Sequence, residues 1–345
     1  MRTLRRRGES FAAGLVVLTE GSTYRKPGAL VVVSSQGTRY GAISGGCLEA
    51  ALETHAREVL RTHSPRSVIF DTRSDDDAVF GSGSGCRGRM TVLLVPDSAP
   101  HPSALVDALI NADQGHLFLR LALVIDGLDP GPSSGWAWYG ADEMALGAAP
   151  PELKSWRDRT PGEHRVATAT GEWVCAVLDV RPSPRVLLIG AGPEVPALIR
   201  LAREMGWMIT VTDHRPAALS ILLALTERTI LARPAAALAQ LSGQTFDACV
   251  VMTHTAIYDL EALQALAGRR ETYVGLMGPP ARRDELMAQL DATSRAALKG
   301  HLRAPVGLHL GGHGPEALAL SIVAQLQTVF SQAYNGLLVA AESQV

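Results

Sequence analysis

Basic charge is in short supply. Lysine and arginine total 32 against 34 acidic residues in 345, a formal charge of -2 at pH 7. The arginines are scattered, so the electrostatic footprint of a nucleic-acid partner is missing. Long apolar runs are absent too, and none approaches the roughly 20 residues that a bilayer helix needs, which excludes a membrane span. Cysteine is sparse: four residues at unequal and distant positions suit a reducing cytosol better than a disulfide framework. Internal repeats, low-complexity segments, a P-loop lysine and a Ser-His-Asp spacing are all lacking. No metal site is expected. His309 and His313 have ligand-like spacing, but Gly311, Gly312 and Gly314 oppose the helix that would put both imidazoles on one face.

The N-terminus imitates a secretion signal, with basic residues up to Arg7 followed by an apolar stretch over 11–18. That stretch is short, Glu9 interrupts its approach and no small-x-small cleavage site follows. Its β-branched residues suit a buried strand, so a cytoplasmic protein is expected.

A chain of 345 residues can bury a large core and forms two domains more readily than one. Apolar runs at 15–18, 30–33 and 92–95 predict short buried strands, and residues 48–60 carry helical spacing through Leu48, Leu52, His55, Val59 and Leu60. Between residues 96 and 184 the pattern weakens, leaving one expected strand over 121–125 and a loop over 129–135. After the linker Arg181-Pro182-Ser183-Pro184 the signal sharpens. A strand over 186–189 runs into Gly190-Ala191-Gly192-Pro193-Glu194-Val195, then into a helix with Val195, Leu198, Ile199 and Ala202 on one face. Further strands over 208–212, 247–252 and 273–276, with a final helix near 316–326, predict a parallel sheet.

The chemistry gathers in glycine turns. Ser44-Gly45-Gly46-Cys47-Leu48-Glu49 and Gly81-Ser82-Gly83-Ser84-Gly85-Cys86-Arg87-Gly88 each set a thiol in backbone whose N–H groups can hold an oxyanion, a setting that favours a thiolate. Cys47 stands at a predicted helix start, while Arg87 and Arg89 follow closely on Cys86 and suit both a thiolate and a phosphate. Plainer roles compete: a packing residue for Cys47 and a flexible loop for Cys86. Cys175 and Cys249 lie in apolar, strand-like stretches and are expected in the core. Arg25 and Lys26 could meet an anionic ligand or only solvent. In the second half Gly190 and Gly192 would let a pyrophosphate approach a helix N-terminus, and Asp213 follows about 20 residues on, where an acid meets a ribose hydroxyl. Val195 stands at the third glycine position, and a purely structural turn is the alternative. His254 and Asp259 flank a strand-to-helix turn at the carboxyl edge of the sheet, where ligands bind in open α/β folds, or serve as caps.

Together with Glu20-Gly21-Ser22-Thr23-Tyr24-Arg25-Lys26-Pro27-Gly28-Ala29, Phe70-Asp71-Thr72, Asp213-His214-Arg215, Tyr273-Val274-Gly275-Leu276-Met277-Gly278 and Ala304-Pro305-Val306-Gly307-Leu308, these motifs resemble the XdhC/CoxI group of xanthine dehydrogenase accessory proteins. The resemblance spans most of the chain. It implies an α/β protein with an XdhC/CoxI-type α/β domain over 1–180 and a Rossmann-like domain with a parallel sheet over 185–345. It also implies an accessory factor, not a stand-alone enzyme, that binds molybdenum cofactor, protects it, supports its sulfuration with a cysteine desulfurase and delivers it to a molybdenum hydroxylase apoenzyme. A homodimer stays open. Cys47 and Cys86 would carry the sulfur chemistry. Arg25, Ser44, Gly45, Gly46, Glu49, Gly85, Arg87, Gly190, Gly192, Asp213, His254, Gly275 and Gly278 would contact the cofactor. Two stretches depart from the family pattern: Pro279-Pro280 after Gly278, and His309-Leu310-Gly311-Gly312-His313. An NAD(P)-dependent oxidoreductase, resting on Gly190, Gly192 and Asp213, is the alternative, and a scaffold whose thiols merely pack is a third.

Overall fold

The computed structural model describes residues 1–73, 87–98, 103–127, 135–139, 142–147, 151–168, 171–226, 228–269 and 273–342. The chain separates into two units, Met1–Pro182 and Ser183–Val345.

In the first unit a short helix, α1 (Arg2–Arg6), leads into β1 (Phe11–Gly21). Next come β2 (Leu30–Ser34), β3 (Arg39–Tyr40), α2 (Glu49–Thr62), β4 (Arg66–Asp71) and β5 (Gly88–Asp97). The strands form one antiparallel sheet in the order β3-β2-β1-β5-β4. Both faces of β1 are covered, which is why residues 11–17 read as an unbroken apolar run and not as an alternation. Phe11, Ala13, Leu15 and Val17 enter one apolar layer, while Ala12 and Val16 enter the layer beneath α2. Gly14 is required on the α2 side, since a Cβ there would lie 2.7 Å from Val31 Cγ1.

Helix α3 (Ala104–Gly115) starts at Ser103, whose hydroxyl accepts from the Val106 N–H. A second antiparallel sheet follows, built from β6 (Leu119–Asp126), β7 (Gly135–Tyr139), β8 (Asp142–Leu146), β9 (Gly162–Thr168) and β10 (Gly171–Val180) in the order β8-β7-β6-β10-β9. A 3-10 helix, Pro151–Asp158, closes its outer face with Leu153 and Trp156. Leu121, Leu123, Ala176 and Leu178 of this sheet share one apolar layer with β1, β5 and α3. Arg5 fastens α1 to that layer through Asp97, at 2.7 and 2.6 Å, and through Asp107. The stretch over 96–184, where one strand is expected, thus holds a five-stranded sheet. Edge strand β9 has no fully buried residue to mark its period, and Gly135 opens β7 instead of closing a loop. Residues 129–134 of the expected loop lie outside the described residues.

The second unit alternates strand and helix throughout. Its elements are β11 (Arg185–Ile189), α4 (Val195–Glu204), β12 (Met208–Asp213), α5 (Pro216–Ser220), β13 (Arg228–Leu231), α6 (Pro234–Gln240), β14 (Ala248–Val251) and α7 (Ala256–Ala267). They continue with β15 (Val274–Leu276), α8 (Pro280–Gln289), α9 (Ala292–Leu298), β16 (Leu302–Arg303) and α10 (Pro315–Glu342). The parallel sheet has the order β13-β12-β11-β14-β15-β16, the doubly wound Rossmann arrangement. On β11, Val186 and Leu188 pack with Leu198 of α4 and Ile322 of α10, while Leu187 and Ile189 pack with Leu238, Leu263 and Leu286 of the opposite helices. The last helix extends well past residue 326. Among the described residues no helix is long and apolar enough to cross a membrane, and no group of three His, Cys, Asp or Glu could hold a metal ion.

Candidate functional site

Antiparallel pairing decides which loops of the first sheet share an end. β1 finishes at Gly21 opposite Gly88, the first residue of β5, and β4 finishes at Asp71 opposite Arg89. β2 starts opposite Leu15, and β3, with Tyr40 opposite Val32, runs toward the same end. Residues 20–29, 44–49, 70–72 and 87–88, far apart in sequence, therefore gather at one end of one sheet.

Glycine is obligatory where they meet. Gly21 has φ +66 and a Cβ there would lie 2.7 Å from the Arg87 carbonyl oxygen, while a Cβ on Gly88 would lie 2.3 Å from that of Ser22. Thr72 pins the same spot, its hydroxyl donating to the Gly88 carbonyl at 2.9 Å and its own N–H doing so at 2.9 Å. Charges cross-link the end: Glu20 pairs with Arg73 at 2.9 Å and Arg89 at 3.3 Å, and Asp71 pairs with Arg73 at 2.6 Å.

The turn before α2 is held from inside. The Glu49 carboxylate accepts from the N–H groups of Ile43 at 3.3 Å and Ser44 at 2.9 Å, and from the Ser44 hydroxyl. The Ser44 oxygen in turn accepts from the N–H groups of Gly46 and Leu48, both at 3.1 Å. Burial pushes the Glu49 carboxyl up, but the hydrogen bonds from Ser44 and Ile43 outweigh it and hold it below its ordinary value. Of the turn's N–H groups expected to hold an oxyanion, those of Gly46 and Leu48 are thus already satisfied internally. Ser44 and Glu49, 6% and 4% exposed, position the turn and do not face solvent. Gly45, Gly46 and Cys47 do, with open space where a Cβ on either glycine would go. Arg25 and Arg87 are exposed at the same end. Gly85 and Cys86 lie outside the described residues. Cys175 and Cys249 are fully buried, and burial pushes the Cys175 thiol up to about 11.

In the second unit the loops after β11, β12 and β14 meet at the carboxyl edge, where the strand order reverses, the usual ligand crevice of such sheets. Three buried carboxylates stand there, each with a partner. Asp213, 4% exposed, accepts from the Ala191 N–H at 2.7 Å and from Arg215 at 2.9 and 2.8 Å. Burial raises its pKa, yet Arg215 and the backbone donors prevail and lower it. Asp259, 1% exposed, takes the Thr253 hydroxyl at 2.6 Å and Arg282 at 2.7 Å. Glu194, 2% exposed, reaches His254 Nε2 at 3.3 Å. His254 itself is half exposed and held at φ +61.

The glycine loop departs from the dinucleotide pattern at Glu194. A Cβ on Gly192 would lie 2.3 Å from Glu194 Oε1, so a carboxylate stands beside the backbone that a pyrophosphate approaches in dinucleotide-binding domains. Asp213, expected to meet a ribose, is consumed in tying the loop to Arg215. Gly190 is needed for a different reason, since its φ is +120 and a Cβ would lie 2.4 Å from the Met252 carbonyl oxygen. Gly275 is also reassigned: it sits inside β15, where a Cβ would meet Val306 at 2.7 Å, and Gly278, at φ +125, makes room for Arg282. Sequence reasoning passed over Glu194 as a site residue, although an acid at the start of a phosphate-binding helix is a legible warning.

Residues 186–326 match the family model described as the XdhC Rossmann domain, and residues 4–71 match that of the XdhC and CoxI family. Over 332 residues the chain is 28% identical to a probable xanthine dehydrogenase subunit of Bacillus subtilis (strain 168), covering 92% of each. It is 24% identical over 322 residues to the molybdenum cofactor insertion chaperone PaoD of Escherichia coli (strain K12), covering 92% of this chain and 83% of that one. The crystal structure of a xanthine dehydrogenase from Bacillus halodurans superposes with a TM-score of 0.76 at 28% identity, covering 96% of this chain and 94% of the other.

Proposed function

This chain belongs to the XdhC and CoxI family, and on that premise we propose that it is an accessory chaperone that binds molybdenum cofactor and inserts it into a xanthine dehydrogenase-type molybdenum hydroxylase. The names of two relatives support the reading, one a molybdenum cofactor insertion chaperone and the other a xanthine dehydrogenase subunit. The observation that carries it is the gathering of four separated motifs at one end of the first sheet, with the thiol of Cys47 exposed on a Gly-Gly turn. The cofactor is the cargo and not a resident group. At this end Arg25 and the open backbone of Gly45 and Gly46 would meet its anionic part, while Cys47 would face its sulfur or metal. Cys86, with Gly85 and Arg87, enters in the same capacity from the sequence.

The finer steps belong to the same proposal. The chaperone shields the cofactor from solvent, supports its sulfuration with a cysteine desulfurase as the sulfur source, and delivers it, alone or as a homodimer. The oxidoreductase alternative is disfavoured by the Glu194 carboxylate in the glycine loop.

The test is anaerobic incubation of the purified protein with molybdenum cofactor, removal of free ligand by size exclusion, and pterin fluorescence after oxidation. Stoichiometric pterin, reduced in Cys47→Ala, is expected. A folded sample that retains none overturns the chaperone reading.

A further inference from the structure

Residues 308–314 of the second unit are all exposed, and the side chains of His309, Leu310 and His313 make no hydrogen bond or ion pair among the described residues. Leu308 and Leu310, 38% and 52% exposed, hold aliphatic surface in water, which costs free energy that a covered position would recover. Glycine sets the backbone: Gly311, Gly312 and Gly314 have φ of +78, +83 and +90, and Gly307 has +105 at the other end. At Gly311 a Cβ would meet nothing within 4 Å, so glycine serves there for backbone freedom and not for room. Backbone hydrogen bonds tether the two ends. The Leu308 N–H donates to the Ser321 carbonyl at 3.1 Å, and the Leu318 N–H donates to that of Gly314 at 3.2 Å. Between them the Leu310 N–H donates back to Leu308, within the stretch itself.

The position of this stretch decides what it can cover. α10 and α4 share one apolar layer, and Phe330 of α10 meets Trp207, just past the end of α4, with ring centroids 4.9 Å apart. From Phe330 back to Pro315 α10 rises about 22 Å, against about 15 Å for the whole of α4. The Val306 N–H donates to the carbonyl of Leu276, the last residue of β15, at 3.0 Å, which identifies the end where α10 starts as the carboxyl edge of the sheet. Residues 308–314 therefore overhang that edge beside the first turn of α4, where Glu194 meets His254 over Gly192. Packed helices lie about 8–10 Å apart and three residues span about 10 Å, so Leu310 and Gly311 can reach that turn.

We infer that residues 308–314 are a lid that swings about Gly307 and Gly314 from this exposed position over the carboxyl-edge crevice, burying Leu310 against the first turn of α4. The free chain samples both positions, because no side-chain bond holds the exposed one and the glycines let the backbone change hand. Closure covers His254, whose side chain is half exposed in the open position, and excludes water from its contact with Glu194, as lids do over ligand sites. The lid is independent of the chaperone reading.

The test is double electron–electron resonance on the full-length protein, with spin labels at His309→Cys and Arg200→Cys, the second being exposed on α4, in a background carrying Cys47→Ser and Cys86→Ser. A main distance from the open position and a shorter minor component, up to about 10% of the total, are expected. Leu310→Ser removes the apolar contact made only on closure and shrinks the minor component at least about threefold. All three side chains changed in the second unit are exposed, so the melting temperature stays that of the parent protein. A single distance in the labelled parent, or a minor component indifferent to Leu310→Ser, overturns the lid. Failure to retain molybdenum cofactor counts against the chaperone reading alone and leaves this measurement as it stands.

Discussion

Glu194 Oε1 lies 3.3 Å from His254 Nε2, across the glycine loop that opens the parallel sheet. In a dinucleotide-binding Rossmann domain that space belongs to a diphosphate and the helix N-terminus behind it supplies the attraction. Here a buried acid stands beside the loop, and the histidine that meets it is held in a left-handed conformation that non-glycine residues seldom adopt. The Rossmann architecture is retained, with an acid at the position that usually faces a diphosphate.

Isothermal titration with NAD+ and with NADP+ should accordingly show no binding heat. Saturable heat from either nucleotide would refute the argument from Glu194.

The internally bonded turn before α2 should matter to stability as well as to function. Ser44→Ala leaves the N–H groups of Gly46 and Leu48 without their acceptor, and Glu49→Gln removes a charged acceptor from three donors. Each is expected to cost about 1–3 kcal/mol in urea unfolding at pH 7. Losses below a few tenths would mean the turn is held by other contacts.

The Glu49 contribution should also titrate. Its carboxyl is held below its ordinary 4.5 in the folded chain, so its stabilisation is complete above that value and is lost as pH falls through the lowered one. The stability gap between wild type and Glu49→Gln should therefore be constant from pH 6 to 8 and close on acidification below pH ~4. A gap that widens in acid would reverse the assigned direction.

Thiol labelling should separate the described cysteines. Cys47 is exposed, whereas Cys175 and Cys249 are fully buried and burial raises the Cys175 thiol to about 11. Iodoacetamide on native protein, read by peptide mass mapping, should modify Cys47 and spare the other two until denaturant is added. Native labelling of Cys175 at the rate of Cys47 would show that the second sheet opens readily.

Gly88→Ala tests the convergence of the motifs. The added methyl would lie 2.3 Å from the Ser22 carbonyl oxygen, backbone that cannot swing aside. A loss of roughly 1–3 kcal/mol, with weakened cofactor retention, is expected. An unchanged melting temperature would mean that the two loops part without penalty.

Much of this was legible in the residues. β11, Gly190 and the face of α4 announce themselves because a buried parallel strand is continuously apolar and an amphipathic helix repeats near 3.6. The edge of the second sheet was hidden for the converse reason: β9 alternates only between half-buried and exposed residues and its half-buried positions are mostly polar, so no apolar period stands out. At the motif end, residue types pointed to the right loops but not to their roles. Nothing local in the sequence says that Glu49 turns inward to Ser44 or that Asp213 ties down Ala191, because those contacts depend on how a loop closes. The break in register between Val16 and Leu18 of β1 was equally silent, since it is a property of pairing with β5 and not of β1 alone.

In each of the three sheets the strand that comes first in the chain, β1, β6 or β11, ends up in the interior, with later strands added on both sides. On the ribosome every sheet must therefore grow outward from its oldest member, and β1 waits with one unsatisfied edge until Gly88 and the rest of β5 have emerged. Such long-range closure is slow, and an open apolar edge is what other nascent chains bind. Yield of soluble protein should thus depend on how quickly residues 22–87 are translated, and slow codons there would be expected to favour aggregates over folded product.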